Sequence, residues 1–394
     1  MKTRYIPRTI EKVAKDAFDS YPVITITGPR QSGKTTLVRE IFDGLHYVNL
    51  EDLETRDFAQ TDPIGFLNNL STGAILDEIQ RVPELLSFIQ VRVDENQKNG
   101  QFVLTGSQHF GLTAAVGQSL AGRTAVLSLL PFSIQELTKK QKVKGPDELL
   151  YKGFYPRVHA RQLEPHRAMA DYLLTYVERD LRQVMQVRQL SAFQLFLKLC
   201  AGRVGQIVNL SSLADDVGVS HTTIREWISI LETSYILFRL PPFFSNLKKR
   251  LVKSPKLYFW DVGLASHLLG IENAEQVQTH PQRGGLFENL VVAECMKYRL
   301  HRGKRANLSF FRDHIGHEID LIYERGLMYI LIEIKSAMTV GQYQFRGFKY
   351  WPMALQEQAQ DRLLIYAGKR QETRSLARVV SFMNLAETLE EIET

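Results

Sequence analysis

Three groups of residues in this 394-residue chain have types and spacing that could do chemistry. The first is the loop "GPRQSGKTT" at 28–36, which fits G-x-x-x-x-G-K-[ST]. Gly28 and Gly33 let the backbone of Pro29, Arg30, Gln31 and Ser32 wrap around a phosphate, with N–H groups pointing inward. Lys34 would reach the β- and γ-phosphates, and the Thr35 hydroxyl, followed by Thr36, would coordinate Mg²⁺. The second is Asp77-Glu78 in "GAILDEIQRV", where Asp77 would hold Mg²⁺ through water and Glu78 would orient or deprotonate the attacking water. The third is "EIDLIYERGLMYILIEIK" at 318–335. It reads as a hairpin, with Glu318 and Asp320 on one face of its first strand and Glu333 and Lys335 on one face of its second.

Each group needs an element to carry it. Residues 22–27, "PVITIT", form an apolar, β-branched run ahead of the glycine loop, and "TTLVREIF" has the spacing of a helix start. Strand, loop and helix in that order are the context a phosphate-binding loop requires. Ala74–Leu76 read as a strand ending at Asp77, and ligands of open α/β sheets gather at strand C-termini. A further strand, "QFVLTGSQ", ends in Thr105, Gly106, Ser107 and Gln108, where a hydroxyl or amide would sense the γ-phosphate or place water. Arg123 precedes another β-rich run, "TAVLSLL". It would stabilise transition-state charge on this chain's nucleotide or on a neighbour's, or else serve structure alone.

Length implies two or three domains, divided as 1–136, 137–253 and 254–394. The 44% hydrophobic and 23% charged content is that of a folded protein rather than a disordered one. No apolar run has bilayer-spanning length, and the first residues lack the apolar stretch of a signal peptide, so a cytoplasmic location and no membrane partner are expected. Two cysteines, Cys200 and Cys295, in apolar helical contexts read as buried thiols. The formal charge is +6, but residues 137–253 hold 19 Lys or Arg against 10 Asp or Glu, so the basic excess sits in the middle third.

In that third, residues 172–184 carry Leu173, Leu174, Val177, Leu181 and Val184 at helical spacing, with Arg179, Asp180 and Arg182 elsewhere on the helix. "LSSLADDVG" reads as a helix with Ser211 or Ser212 near its N-cap. Gly218 turns the chain, and "SHTTIREWISILETSYI" reads as a second helix capped by Ser220 and burying Ile224, Trp227, Ile228 and Leu231. "YILFRLPPF" continues as a wing, giving a winged helix-turn-helix. If it reads DNA, His221, Thr222 and Arg225 face the groove and Lys248, Lys249 and Arg250 hold phosphates. The alternative is a winged helix that only packs domains together.

"GPRQSGKTTL", "YVNLED", "ILDEIQ", "LTGSQ", "SLAGR" and "LPFSIQEL", in that order, resemble a widespread group of prokaryotic AAA-type ATPases whose ATPase module is joined to a C-terminal domain of unknown function. The resemblance implies an α/β protein: an additional-strand P-loop parallel sheet with helices on both faces, then a helical lid and winged helix, then a C-terminal α/β domain. ATP and Mg²⁺ are the implied ligands. The C-terminal pattern is itself similar to the PD-(D/E)xK nuclease core, the restriction-endonuclease-like fold: a helix bearing Glu288, a strand, the hairpin, a helix and a strand at 361–368. That likeness implies Glu288, Asp320 and Glu333 as metal ligands and Lys335 as the catalytic lysine, with Ile319 standing where the proline of the motif would be. Glu318 is a further ligand or a bystander. Three functions follow as expectations: an ATP-hydrolysing switch acting on nucleic acid, a nucleotide-gated metal-dependent DNA nuclease, and a signalling or scaffolding NTPase with a protein partner. The sequence leaves the number of subunits open.

Overall fold

The structure is a computed structural model and describes residues 5–107, 116, 119–177, 190–243 and 253–393. Two compact units emerge, one built from Met1–Phe132, Thr233–Ile236 and Arg299–Lys304, the other from Ser133–Glu232, Leu237–Tyr298 and Arg305–Thr394.

The first unit is built on five strands: β1 (Val23–Gly28), β2 (His46–Asn49), β3 (Ala74–Asp77), β4 (Phe102–Ser107) and β5 (Thr124–Ser128). All pairings are parallel, in the order β2-β3-β4-β1-β5. Parallel strands covered on both faces must be apolar on both, and every residue of β1, β3 and β4 is buried. Helices α1 (Glu11–Ser20), α2 (Lys34–Ile41) and α3 (Leu85–Asn96) help to cover them. Ile24, Ile26, Ile75 and Val103 pack with Ala14 of α1 and with Leu37 and Val38 of α2. Leu76, Phe102 and Leu104 pack with Leu85, Leu86 and Ile89 of α3. The alternation of Ile75 with Leu76, and of Val103 with Leu104, between two cores is the strand period of two. β4 lies between β1 and β3, the inserted strand that the sequence implied. The phosphate-loop strand and the acidic strand therefore flank it, with all three C-termini at one edge.

The second unit contains helices α4 (Leu190–Gly202), α5 (Leu210–Val217) and α6 (His221–Thr233), then β6 (Leu237–Leu240) antiparallel to β7 (Lys256–Phe259). Trp227 of α6 lies edge-on to Phe193 of α4 at 5.1 Å, and Phe196 is 5.3 Å from it. The α5 N-cap is Asn209, whose side chain accepts from Ser212 N at 3.0 Å; Ser211 and Ser212, expected near the cap, stand two and three residues after it in the first turn. Ser220 caps α6 as expected, accepting from Thr223 N at 3.0 Å. The β6–β7 pair crosses the boundary expected at 253, so the middle and C-terminal regions share structure.

After α7 (Arg283–Leu300) come β8 (Leu308–Arg312), β9 (Glu318–Arg325), β10 (Met328–Lys335), β11 (Ala359–Tyr366), β12 (Glu372–Thr373) and β13 (Arg378–Ser381). They form one mixed sheet in the order β12-β13-β11-β10-β9-β8. β9 and β10 are the expected hairpin, and β10 runs parallel to β11. The connection between β10 and β11 was expected to be an α-helix. It is two 3₁₀ runs, Gln342–Tyr350 and Met353–Gln358, separated by Trp351-Pro352. Gly347 and Pro352 disfavour a continuous α-helix there. Phe345, Phe348 and Trp351 still reach the sheet core beside Phe311, Ile322, Leu331 and Leu364.

Candidate functional site

The phosphate loop joins β1 to α2 through two backbone conformations that suit glycine. Gly28 has φ of +149° and Gly33, the α2 N-cap, has φ of +93°. A Cβ on Gly28 would stand 2.1 Å from Leu129 O, so no side chain fits there. Lys34 opens α2, is only 6% exposed, and folds its ammonium over the loop to donate to Gly28 O at 3.0 Å and Pro29 O at 2.9 Å. Burial pushes its pKa down to about 8, against the pull of Glu78 and Asp77. Ser32 Oγ is buried without a hydrogen-bond partner, a polar atom that a phosphate oxygen would satisfy. From below, Arg8 donates to Ser32 O at 2.9 Å and to Leu130 O at 2.6 Å, which fixes the loop's height above the sheet.

Asp77 ends β3 at 3% exposure and is ringed by hydroxyls. Thr35 Oγ1 donates to its Oδ2 at 2.8 Å, Tyr47 O–H to the same oxygen at 2.7 Å, and Thr105 Oγ1 to Oδ1. The Thr35 hydroxyl and Asp77 thus converge as an all-oxygen set of the kind Mg²⁺ selects. Glu78 follows in the left-handed region at φ of +61°, with its N–H bonded to Thr105 Oγ1 at 3.3 Å. Its Oε2 accepts from the Gln80 amide, which also reaches Ser107 Oγ at 3.1 Å, and Ser107 Oγ lies 3.5 Å from the same carboxylate oxygen. Lys34, Thr35, Asp77, Glu78 and Ser107 are therefore brought together as the spacing predicted. Tyr47 and Gln80 belong to the site and were missed. Their signals were present: Tyr47 on the strand before "NLED", and Gln80 two residues beyond Glu78.

The second unit holds another charged cluster. The register sets Ile332 opposite Leu321, which leaves Glu333 beside Asp320 across the hairpin. Lys335 Nζ donates to Asp320 Oδ2 at 2.9 Å and lies 2.7 Å from Glu333 Oε2, while Ile334 N also donates to Asp320 Oδ2 at 2.7 Å. Carboxylate oxygens of Glu288, Glu318 and Asp320 lie within 4.8 Å of one another. Glu318 thus joins Glu288 and Asp320, while Glu333 sits with Lys335. Burial and the nearby Asp320 push the Glu333 carboxyl up to about 8, and its Oε1 is buried without a partner. Burial also raises Glu288. In Asp320 the Lys335 and Lys256 charges outweigh burial and hold the carboxyl below its ordinary range.

A family model described as an AAA domain matches residues 20–138. Models described as domains of unknown function match 144–275 (DUF8612) and 283–387 (DUF4143). Over 321 residues the chain is 31% identical to the uncharacterized protein Rv2008c of Mycobacterium tuberculosis, covering 81% of this chain and 71% of that one. The uncharacterized protein Mb2031c of Mycobacterium bovis matches with the same figures. The chain belongs to their family. Its first unit is an AAA-type P-loop ATPase domain. Among solved structures, the Walker-type ATPase paby2304 of Pyrococcus abyssi is 14% identical with a TM-score of 0.46, covering 68% of this chain and 97% of that one. AMPPCP-bound DnaA from Aquifex aeolicus is 17% identical with a TM-score of 0.29, covering 57% and 86%.

Two further sets of predicted residues remain, Arg123 in the first unit and the DNA-contact candidates in the second. Arg123 stands at the start of β5, level with Val23, whose N–H it accepts at 3.2 Å. The phosphate loop lies at the other end of the sheet, so Arg123 does not serve this chain's own nucleotide. Its guanidinium instead grips Asp94 at 2.5 and 2.8 Å. His221, Thr222 and Arg225 are exposed at the start of α6, with Arg225 Nη2 3.5 Å from His221 Nδ1. Lys248, Lys249, Arg250, Gln108, Arg179, Asp180 and Arg182 lie outside the described residues. Among the described residues, no helix is long and apolar enough to cross a membrane.

Proposed function

We propose that this AAA protein is an ATP-hydrolysing switch whose nucleotide state governs how its second unit engages DNA. The observation that carries the reading is the meeting, at one sheet edge, of Lys34, Thr35, Asp77 and Glu78, with Thr35 Oγ1 2.8 Å from Asp77 Oδ2. The loop N–H groups and the Lys34 ammonium bind the β- and γ-phosphates of ATP, since cations and helix N-termini favour polyanions. Thr35, and Asp77 through water, would hold Mg²⁺, whose charge would neutralise that of the phosphate oxygens. Glu78 accepts a proton from the attacking water, and Gln80 and Ser107 hold its Oε2 so that the carboxylate meets that water in one orientation.

The reading that the second unit meets DNA is supported by the order α5, Gly218, α6, β6, β7, which is that of a winged helix-turn-helix. It is also supported by the exposure of His221, Thr222 and Arg225 and by the basic surplus of residues 137–253. Fluorescence anisotropy with labelled duplex tests it, using the wild-type chain and Glu78→Gln loaded with ATP. The reading expects binding that weakens steeply with salt and differs between the ATP-held and nucleotide-free states. Salt-insensitive or absent binding at low salt in both states would remove DNA and leave a scaffolding ATPase with a protein partner.

A further inference from the structure

The carboxylate cluster of the DUF4143 region resembles that of a metal-dependent nuclease, yet the residues present do not fit a divalent ion, because a cation built into the chain already holds them. Lys256 lies on β7, 32 residues before Glu288, and no sequence pattern links it to the hairpin. Its Nζ donates to Glu288 Oε1 at 2.8 Å and bridges to Glu318 Oε1. These are two of the three carboxylates whose oxygens converge. Tyr258, on the same face of β7, donates its O–H to Glu288 Oε1 at 2.6 Å. Arg312 Nη1 takes the other oxygen of Glu318 at 3.0 Å. The third carboxylate, Asp320, accepts at its Oδ2 from both Lys335 and the backbone N–H of Ile334.

We propose that Lys256 is the permanent cation of this centre, and that its ammonium takes the place a divalent metal would need among Glu288, Glu318 and Asp320. The centre of this chain is thereby a metal-free ion network. Three features support it. The Lys256 side chain is 2% exposed, with its ammonium 5.4 Å from the centroid of the Phe310 ring, so it is not a surface lysine that happens to lean inward. Its backbone is fixed on both sides: Lys256 pairs with Leu240 of β6 and bridges to Ile207, and Leu257 N donates to Gln206 O at 3.1 Å. The side chain therefore enters the cluster from a fixed strand position. Mg²⁺ also asks for about six oxygens at about 2.0–2.1 Å, several of them waters. Here the oxygens point at an ammonium whose charge would repel any ion sharing them. The inference goes beyond the ATPase reading and does not depend on it.

The test is Mn²⁺ titration of the full nucleotide-free chain, read by loss of the free Mn²⁺ electron paramagnetic resonance signal and by thermal melting. Wild type and Asp320→Asn are expected to take up equal Mn²⁺. Lys256→Met is expected to gain one Mn²⁺ per chain and to melt at higher temperature when it is present. The double variant Lys256→Met with Asp320→Asn loses that gain. Wild-type uptake that falls by one ion in Asp320→Asn overturns the proposal, and so does a folded Lys256→Met chain that gains none. Should Lys256→Met or Asp320→Asn fail to fold, wild type against Glu318→Gln gives the same decision: equal uptake supports the resident ammonium, and one ion fewer in the variant overturns it.

Discussion

The buried Lys34 makes nucleotide binding a proton-linked event, and its size can be worked out from the site. Burial holds the ligand-free ammonium at a pKa of about 8 rather than 10.5. About half of the chains then carry a neutral Lys34 at pH 8 and about nine tenths at pH 9. A bound triphosphate places anionic oxygens beside the amine and restores its charge. Binding should therefore take up about half a proton at pH 8 and close to one at pH 9, while ATP itself is fully ionised there. The dissociation constant should rise about tenfold per pH unit above that value, about 1.4 kcal/mol each. For the empty protein the sign is set by the lowered native pKa. Between pH 8 and 10.5 the unfolded chain binds more protons than the folded one, so this group's contribution makes stability rise with pH across that window. Isothermal titration calorimetry in buffers of different ionisation enthalpy measures the uptake directly. An observed enthalpy independent of buffer at pH 8–9, together with a flat dissociation constant, would refute the reasoning. Lys34→Met should bind more weakly and without the slope.

Three further outcomes are expected. Thr105→Val removes a hydroxyl that donates to Asp77 Oδ1 and accepts from Glu78 N; the loss of a charge-assisted bond of about 1.5–3 kcal/mol should lower ATP turnover about tenfold or more, measured by phosphate release. Arg123→Ala removes an exposed pair with Asp94 far from the phosphate loop, and turnover of the dilute chain should stay near wild type in the same assay. Trp227→Ala opens a cavity between Phe193 and Phe196 and should cost about 3–5 kcal/mol in urea unfolding of the second unit, with nucleotide affinity unchanged.

What could be read from the sequence was what is local in it. Gly28 through Thr36 and Asp77-Glu78 are short motifs whose strand and helix lie beside them, so the elements and roles followed together. Arg123 illustrates a constraint that was present but unused: a residue just before a parallel strand lies at its N-terminal end, away from the edge where Gly28, Asp77 and Ser107 finish their strands. The hairpin was legible from the alternation of Glu318, Asp320, Glu333 and Lys335. Which carboxylates meet was not, because Glu333 and Glu318 share their strands' chemistry and only packing separates them. Lys256 was beyond reach. A lysine beginning "KLYFW" looks like a strand entry facing water, and its burial against Glu288 and Glu318 is a product of the tertiary fold alone. The 3₁₀ connection at 342–358 shows the reverse: the order of elements suggested a helix, while Gly347 and Pro352 already argued against one.

Steady-state phosphate release by the purified chain with ATP and Mg²⁺ tests the central claim most directly, set against Lys34→Ala and Glu78→Gln. The account predicts turnover in wild type, little in Lys34→Ala because ATP is held poorly, and a loss of about 10²-fold or more in Glu78→Gln with ATP still bound. Equal rates in all three proteins would contradict it.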